Sequence, residues 1–220
     1  MRCYLVRHAQ PTWTGAFRFH GRTDPPLGPE GLAQARRLAA HFAGRALGVV
    51  YHSGLTRSVQ TADLIASRTQ ATLRAIPGLA EINFGAWDGL TVDEVQERFN
   101  GMYEQWRRRP SEVRIPGGEP CGEFRERVRR AFADLAARHH EEGCQELLVV
   151  SHGGVIASLL ADWLEADYDG LVRRLVLDYA GITAVEWDAQ APSVSWINAT
   201  AHLHRDFASR NVSKEVCHDP

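Results

Sequence analysis

The chain has 220 residues, 44% hydrophobic and 24% charged, with a formal net charge of -2 and ten histidines. That length fits one domain with a modest insertion, and the composition is that of a globular protein with a sizeable core, which excludes a chain disordered throughout. Without a global basic field, nucleic acid is not an expected partner, and any affinity for anions has to be local.

Cys3, Cys121, Cys144 and Cys217 are far apart and form no Cys-x-x-Cys pair, so neither a zinc knuckle nor a redox motif is expected. The N-terminus has no basic segment followed by a long apolar run. No stretch approaches the ~18 apolar residues of a membrane span, so the expectation is a cytoplasmic protein without membrane association.

Taken in chain order, residues 3–6 are a short apolar run that fits a buried strand, and charge begins where it stops, at Arg7-His8. Residues 11–29 hold turn formers and aromatics, among them Trp13, Phe17, Phe19, Gly21, Asp24, Pro25 and Pro26, and read as loop. Leu32, Ala35, Leu38, Ala39 and Phe42 give helical spacing over 30–42. Residues 47–51 form a second buried strand, followed by His52-Ser53-Gly54 and a helical pattern through Thr61, Ala62, Leu64 and Ile65. A third short strand is expected near 71–76, and Pro77-Gly78 then opens an irregular segment containing Glu81, Phe84, Gly85, Trp87 and Asp88.

Thr91 with Glu94 three residues on makes a capping box, which predicts a helix from Val92 to about Trp106, stopped by Pro110. With the loop at 115–120 it forms a helical insertion over about 90–120. Phe124, Val128, Phe132 and Leu135 mark a long amphipathic helix to about residue 141, and residues 147–150 are the next buried strand. That strand ends at Ser151-His152-Gly153-Gly154, where a helix to about Leu164 begins. Residues 183–187 and 194–197 read as strands paired in a hairpin across 188–193. Residues 202–220 are polar and nonperiodic, a tail beyond a single domain of 1–201, with Phe207 and Val212 able to dock on the body. Strands alternating with helices indicate an α/β three-layer sandwich with a mostly parallel central sheet.

In such a sheet, ligands bind beyond the carboxyl ends of the strands. Three segments lie at such ends: Arg7-His8, Ser53 to Arg57, and Ser151 to Gly154. Two imidazoles and two guanidiniums brought to one edge make an anion site. A phosphoryl group carries about two negative charges at neutral pH and its transfer is assisted by fixed cations, so no metal is needed. Arginine suits this because its planar fork donates two parallel hydrogen bonds and keeps its charge. Gly153 and Gly154 at a helix start add backbone N–H groups and the positive end of the helix dipole.

Leu5-Val6-Arg7-His8, Ser53-Gly54-Leu55-Thr56-Arg57 with Thr61-Ala62, Glu81 to Gly89, and Ser151-His152-Gly153-Gly154 together resemble the histidine phosphatase superfamily, which also contains the cofactor-dependent phosphoglycerate mutases. Four blocks in order, from residue 3 to about 164, carry the resemblance. It implies a phosphoglycerate mutase-like fold and a metal-independent, cofactor-free phosphatase acting on a small phosphorylated metabolite. His8 is then the nucleophile that forms a phosphohistidine. Arg7, Arg57 and His152 hold the phosphoryl oxygens, and Glu81 protonates the leaving alkoxide.

Relatives of this family usually carry Arg-His-Gly-Glu-Thr followed by Trp-Asn, where this chain reads Arg7-His8-Ala9-Gln10-Pro11-Thr12-Trp13-Thr14. Thr14 replaces the Asn amide, so Thr12 or Thr14 has to supply a hydroxyl to the outer phosphate oxygens. Ile115-Pro116-Gly117-Gly118-Glu119 resembles the Pro-Gly-Gly-Glu segment of small phosphatases of the superfamily, which brings Glu119 toward the substrate. The short 90–120 segment favours a phosphatase over a phosphoglycerate mutase. A catalytically silent module that binds phosphorylated ligands is a third reading, and self-association as a homodimer stays open.

Several features have plainer explanations. Asp88 competes with Glu81 as the acid. Arg107-Arg108-Arg109 suits a solvated helix end better than a substrate contact. His202 and His204 have no carboxylate partners for a metal. Trp13, Phe17 and Phe19, beside the nucleophile, are either packed side chains or walls that select an apolar or aromatic ester group, and Trp87 and Trp106 suit packing.

Overall fold

The computed structural model describes residues 1–12, 17–141, 145–187 and 192–204. Six strands, β1 (Arg2–Arg7), β2 (Val49–His52), β3 (Thr72–Ala75), β4 (Glu146–Ser151), β5 (Ile182–Trp187) and β6 (Pro192–Ala199), form one sheet in the order β3-β2-β4-β1-β5-β6. β1, β2, β3 and β4 pair in parallel, while β5 runs antiparallel to β1 and β6 antiparallel to β5. The sheet is therefore mostly parallel with an antiparallel edge, and its flanking helices complete the expected sandwich.

The central strands β1 and β4 are apolar on both faces because helices cover both. Tyr4, Val6, Leu148 and Val150 face a core shared with Leu38 and Phe42 of α1 (Pro29–Phe42) and Ile65 of α2 (Thr56–Thr69). Their neighbours Cys3, Leu5, Leu147 and Val149 face the other core, with Phe124, Val128 and Phe132 of the long helix Cys121–Glu141 and Ile156 and Leu159 of the helix Gly153–Trp163. The alternation is the period of two expected of a strand. Cys3 and Cys121 are buried free thiols, Cys3 behaving as a small hydrophobe whose pKa burial pushes up.

The expected helix over 92–106 is two helices, α3 (Val92–Arg98) and α4 (Met102–Arg108). The capping box forms as read, Thr91 accepting from the Glu94 N–H and Glu94 from the Thr91 N–H. The break falls at Asn100-Gly101, where Gly101 takes a φ of 73°. An Asn-Gly pair is turn chemistry, and it overrides the continuing apolar pattern. The two remaining long helices are then α5 (Cys121–Glu141) and α6 (Gly153–Trp163), and a short helix not foreseen, α7 (Tyr168–Val172), follows with the Asp167 carboxylate accepting the Gly170 N–H at 2.7 Å. Five residues are too few to show a helical period.

β5 and β6 pair as the hairpin reading required, although residues 188–191 of their connection lie outside the described residues. The body runs past the expected boundary at 201. Ala201–Leu203 is a 3-10 turn, Leu203 packs against the α1-side core, and the His202 ring lies 5.4 Å from that of His41. Phe207 and Val212 lie outside the described residues.

The anchoring side chain of α5 is Phe132, 1% exposed, with its ring 5.0 Å from Trp163 and 5.4 Å from Trp187. Phe132→Ala is expected to destabilise the protein by about 3–5 kcal/mol, read in urea unfolding, and to lower the melting temperature by about 10 °C. A loss under about 1 kcal/mol would show that this face of α5 is not part of the stabilising core.

Candidate active site

The site lies over the carboxyl ends of β1, β2 and β4. Because β4 sits between β2 and β1, the chain leaves these strands in diverging directions and opens a crevice there. Arg7, His8, His20, Glu81, Gly153 and Gly154 line one end of a pocket of about 300 Å³.

His8 follows β1 and is 2% exposed. Its backbone N–H donates to the Ser151 carbonyl of β4 at 2.9 Å, and the Ala180 N–H, just before β5, donates to the Arg7 carbonyl at 3.0 Å, so the backbone is fixed from both sides. Its Nδ1 lies 2.8 Å from the Ala9 carbonyl, and its Nε2 receives the Arg57 Nε–H at 3.2 Å. A carbonyl can only accept, so the proton belongs on Nδ1 and the lone pair on Nε2. Burial, then His152, Arg57 and Arg7, hold the His8 pKa well below the ordinary value, and the imidazole is neutral.

His152, at the start of α6, is fully buried, with Nε2 2.7 Å from the Ser53 Oγ. Its ring centroid is 5.0 Å from that of His8, and its pKa is likewise held far down by burial, Arg57 and Arg7. The His152 Nδ1 is buried without a partner, and so is the Arg7 Nε. Arg7 is anchored through Nη1 to the Leu177 carbonyl and stacks at 4.0 Å on the Tyr179 ring. Tyr179 also packs beside His8, at 5.5 Å between ring centroids.

Arg57 does not stand as the forked clamp expected from sequence. It is fully buried in the first turn of α2, its Nη1 donating to the Thr23 carbonyl at 2.9 Å and its Nη2 to the His20 and Gly21 carbonyls at 3.1 and 3.0 Å. The fork holds the 20–23 loop, and only Nε addresses His8. Burial lowers its pKa, against the opposing pull of Glu81, Asp24 and Asp88.

Two carboxylates complete the frame, with different tasks. Glu81 accepts the Ile82 N–H on Oε1 at 2.9 Å and the Gly154 N–H on Oε2 at 3.0 Å. A Cβ on residue 154 would lie 2.4 Å from the Glu81 Oε1, so only glycine lets the carboxylate approach the helix start. The Gly154 N–H, expected on the ligand, is thus directed at Glu81. Asp88 lies outside the pocket lining and accepts the N–H groups of Gly21, Arg22 and Thr23 at 2.8, 2.8 and 2.9 Å.

Gly153 lines the pocket; Glu119 does not. Both oxygens of Glu119 are engaged by Arg127, at 2.7 and 2.8 Å, and although burial acts to raise its pKa, that ion pair and the Asn83 N–H bring it below the usual carboxylate range. The Thr12 hydroxyl donates to the Pro26 carbonyl at 3.2 Å, while Thr14 and Trp13 lie outside the described residues. Phe19 is packed in an aromatic cluster with Trp87 and Trp106, whereas Phe17 lines the pocket. Arg107 and Arg109 pair with Glu104 and Glu112, and none of the three consecutive arginines lines this pocket.

His20 was not foreseen. It lies in a segment without periodicity, its Nδ1 is 2.8 Å from the Arg18 carbonyl, and burial pushes its pKa down to about 4. Tyr179, Leu175 and Leu177 were missed for the same reason, since they lie in an irregular connection before β5.

Comparison with known proteins gives the family and the fold. The chain is 29% identical over 204 residues to a putative phosphoserine phosphatase of Hydrogenobacter thermophilus, covering 93% of this chain and 98% of that protein. It is 30% identical over 218 residues to a probable phosphoglycerate mutase of Yersinia pestis, covering 92% and 95%. The solved structure of YhfR from Bacillus stearothermophilus superposes with a TM-score of 0.86 at 25% identity, over 92% of this chain and 99% of that one. No described helix is long and apolar enough to cross a membrane. With residues 3–200 matching the family as a whole, and phosphatases among its relatives, the chain belongs to the histidine phosphatase superfamily, branch 1.

Proposed function

We propose that this protein is a phosphomonoesterase that needs no metal and passes the phosphoryl group of a small phosphorylated metabolite to His8 and then to water. The observation that carries the reading is the lone pair on the His8 Nε2, fixed by the Ala9 carbonyl behind it and held unprotonated by burial and by cations. A neutral imidazole at the bottom of a cationic crevice is a nucleophile matched to an anionic electrophile.

In the first step Nε2 bonds to phosphorus as the ester P–O bond breaks, and Glu81, as the carboxylic acid, gives its proton to the departing oxygen. In the second, water attacks phosphorus, Glu81 takes a proton from it, and the P–N bond breaks to restore His8 and release phosphate. The buried Arg7 Nε donates to a phosphoryl oxygen. The His152 Nδ1 does so as well in the tautomer where Ser53 donates to Nε2. The Arg57 Nε shifts from His8 to the phosphoryl group as Nε2 becomes bonded.

Hydrolysis is favoured over mutase chemistry because Arg7 is the sole guanidinium or ammonium among the described lining residues, and a second phosphate would need a cation of its own. A silent binding module would not need both His8 and Glu81 in the pocket. Conversion of 3-phosphoglycerate to 2-phosphoglycerate with a bisphosphate primer, faster than phosphate release, is the result that would favour the mutase.

Rapid quenching of turnover in excess EDTA is expected to trap an acid-labile phosphoenzyme in the wild type and none in His8→Ala. A fully active His8→Ala, or activity that EDTA abolishes and Mg²⁺ restores, would overturn the mechanism. Glu81→Gln is expected to depress kcat/KM for an alkyl phosphate about 10²–10⁴-fold more than for p-nitrophenyl phosphate, whose phenolate leaves unaided. Asp88→Asn, which loosens the 21–23 loop, should slow both substrates alike; the reverse pattern would make Asp88 the acid. Because the His8 pKa is depressed, the neutral form persists as the pH falls through the ordinary value. For p-nitrophenyl phosphate, which needs no proton from Glu81, kcat/KM corrected for substrate ionisation should stay level from about pH 7.5 to about 5.5, where an imidazole with a pKa of ~6.5 would lose about tenfold. A tenfold loss there would place the His8 pKa near its unperturbed value.

A further inference from the structure

Beyond the groups that face phosphate, the pocket is lined by Phe17, Phe84, Ala157, Val172, Leu175 and Leu177. We infer that the ester group accepted here is apolar, an alkyl chain or an aromatic ring, and not the charged acid of a phosphoserine or phosphoglycerate. This inference rests on the phosphatase reading and names its substrate class.

Placement makes the wall part of the site. Ala157 is four residues after Gly153 on α6 and so lies on the same face one turn on, which puts apolar surface directly beyond the phosphate end. Its small side chain leaves the depth that a larger one would fill. Leu175 and Leu177 pack against the α5–α6 core, while Val176 between them is 71% exposed, so the wall is the inner face of a held segment. Phe84 rests on Phe19 at 5.3 Å. Phe17, 59% exposed, stands over the opening with its ring 5.5 Å from Phe19 and 6.4 Å from His20. A large apolar side chain left in water at the rim of an apolar pocket gains by covering an apolar ligand.

The charges point the same way. Beyond the histidines and Arg7 at the phosphate end, a carboxylate on the ester group would meet Glu81 and six apolar side chains among the described lining residues, a surface that costs it hydration. The arginines next to Val172 do not line the pocket, and each is anchored on its own helix end, the Arg173 Nε donating to the Asp169 carbonyl at 3.1 Å and the Arg174 Nη1 to the Gly170 carbonyl at 3.2 Å. The volume, about 300 Å³, is at the small end of ligand pockets and suits a metabolite-sized ester.

The test measures kcat/KM for n-alkyl phosphates from ethyl to hexyl beside 3-phosphoglycerate and phosphoserine, and calorimetric affinities for the matching n-alkylphosphonates, which need no turnover. Each added methylene is expected to raise kcat/KM and phosphonate affinity about fourfold, the worth of one buried CH₂ group. Hexyl phosphate should exceed both acids by at least about tenfold. Val172→Arg, at a half-buried helix end, should shrink the advantage of hexyl phosphate over 3-phosphoglycerate by about tenfold, and Phe17→Ser should flatten the chain-length slope. Hydrolysis and phosphonate binding that both ignore chain length, or acids that outrun hexyl phosphate, overturn the apolar ester group and leave the phosphatase reading standing. A chain-length slope in phosphonate binding without hydrolysis of any ester overturns the phosphatase reading and leaves the apolar wall standing.

Discussion

The buried guanidinium of Arg57 is the interaction on which the site depends. From the first turn of α2 it reaches three carbonyls of the 20–23 loop and the Nε2 of His8, so one side chain ties a helix, a loop and the residue after β1 to a common point. A guanidinium with no exposed surface is tolerable only if its donors are satisfied, and here backbone carbonyls do most of that work. Their dipoles stabilise the charge without neutralising it, as a carboxylate partner would. Asp24, at 3.6 Å, is the one carboxylate paired with it among the described residues, and Asp24 is also held by the Thr56 N–H and hydroxyl. The positive field of Arg57 therefore remains available to the crevice, and it helps keep both His8 and His152 neutral.

The same loop explains why Glu81 and Asp88, seven positions apart in sequence, have different surroundings. Asp88 meets three consecutive N–H groups of residues 21–23 while Arg57 takes the carbonyls of the same stretch, so the loop is clamped through both sets of backbone groups. Gly21 is required there, since a Cβ would lie 2.0 Å from the Ile82 carbonyl. Glu81, one residue before Ile82, is thereby placed over the start of α6. Its neighbours are Gly154 and the pocket, where a proton can be exchanged with a bound molecule.

Much of the fold was legible because burial on both faces turns strands into unbroken apolar runs, and β1, β2 and β4 each end where polar residues begin. Arg7, His8, Arg57 and His152 were visible as polar residues just past those ends, a position that topology alone brings to one edge. In the sequence, Glu81 is preferred to Asp88 on the family resemblance alone, because the physical difference between them lies in which distant N–H groups each meets. The orientation of Arg57, the pairing of Glu119 with Arg127, and the presence of His20 and Tyr179 were hidden for the same reason. Each depends on irregular connections whose course has no period. The split of the 92–106 helix was legible in principle, since Asn100-Gly101 is a turn pair, but the apolar spacing outweighed it.

The pocket is thus made of two parts with different physical origins. The polar end is fixed by the sheet: strand ends, a helix start and the buried arginine hold it, and shifting any of them disturbs the paired strands β1 and β4. The apolar end is built from the second turn of α6, from α7 and from the segment before β5, together with two phenylalanines from other loops. None of these carries sheet hydrogen bonds, so their side chains can change with little effect on the geometry at His8. Such a separation suits a family in which relatives of similar fold bear names with different substrates. In this chain the end beyond the sheet edge is lined by Phe17, Phe84, Ala157, Val172, Leu175 and Leu177, so the polar groups at the strand ends face a wall of hydrocarbon.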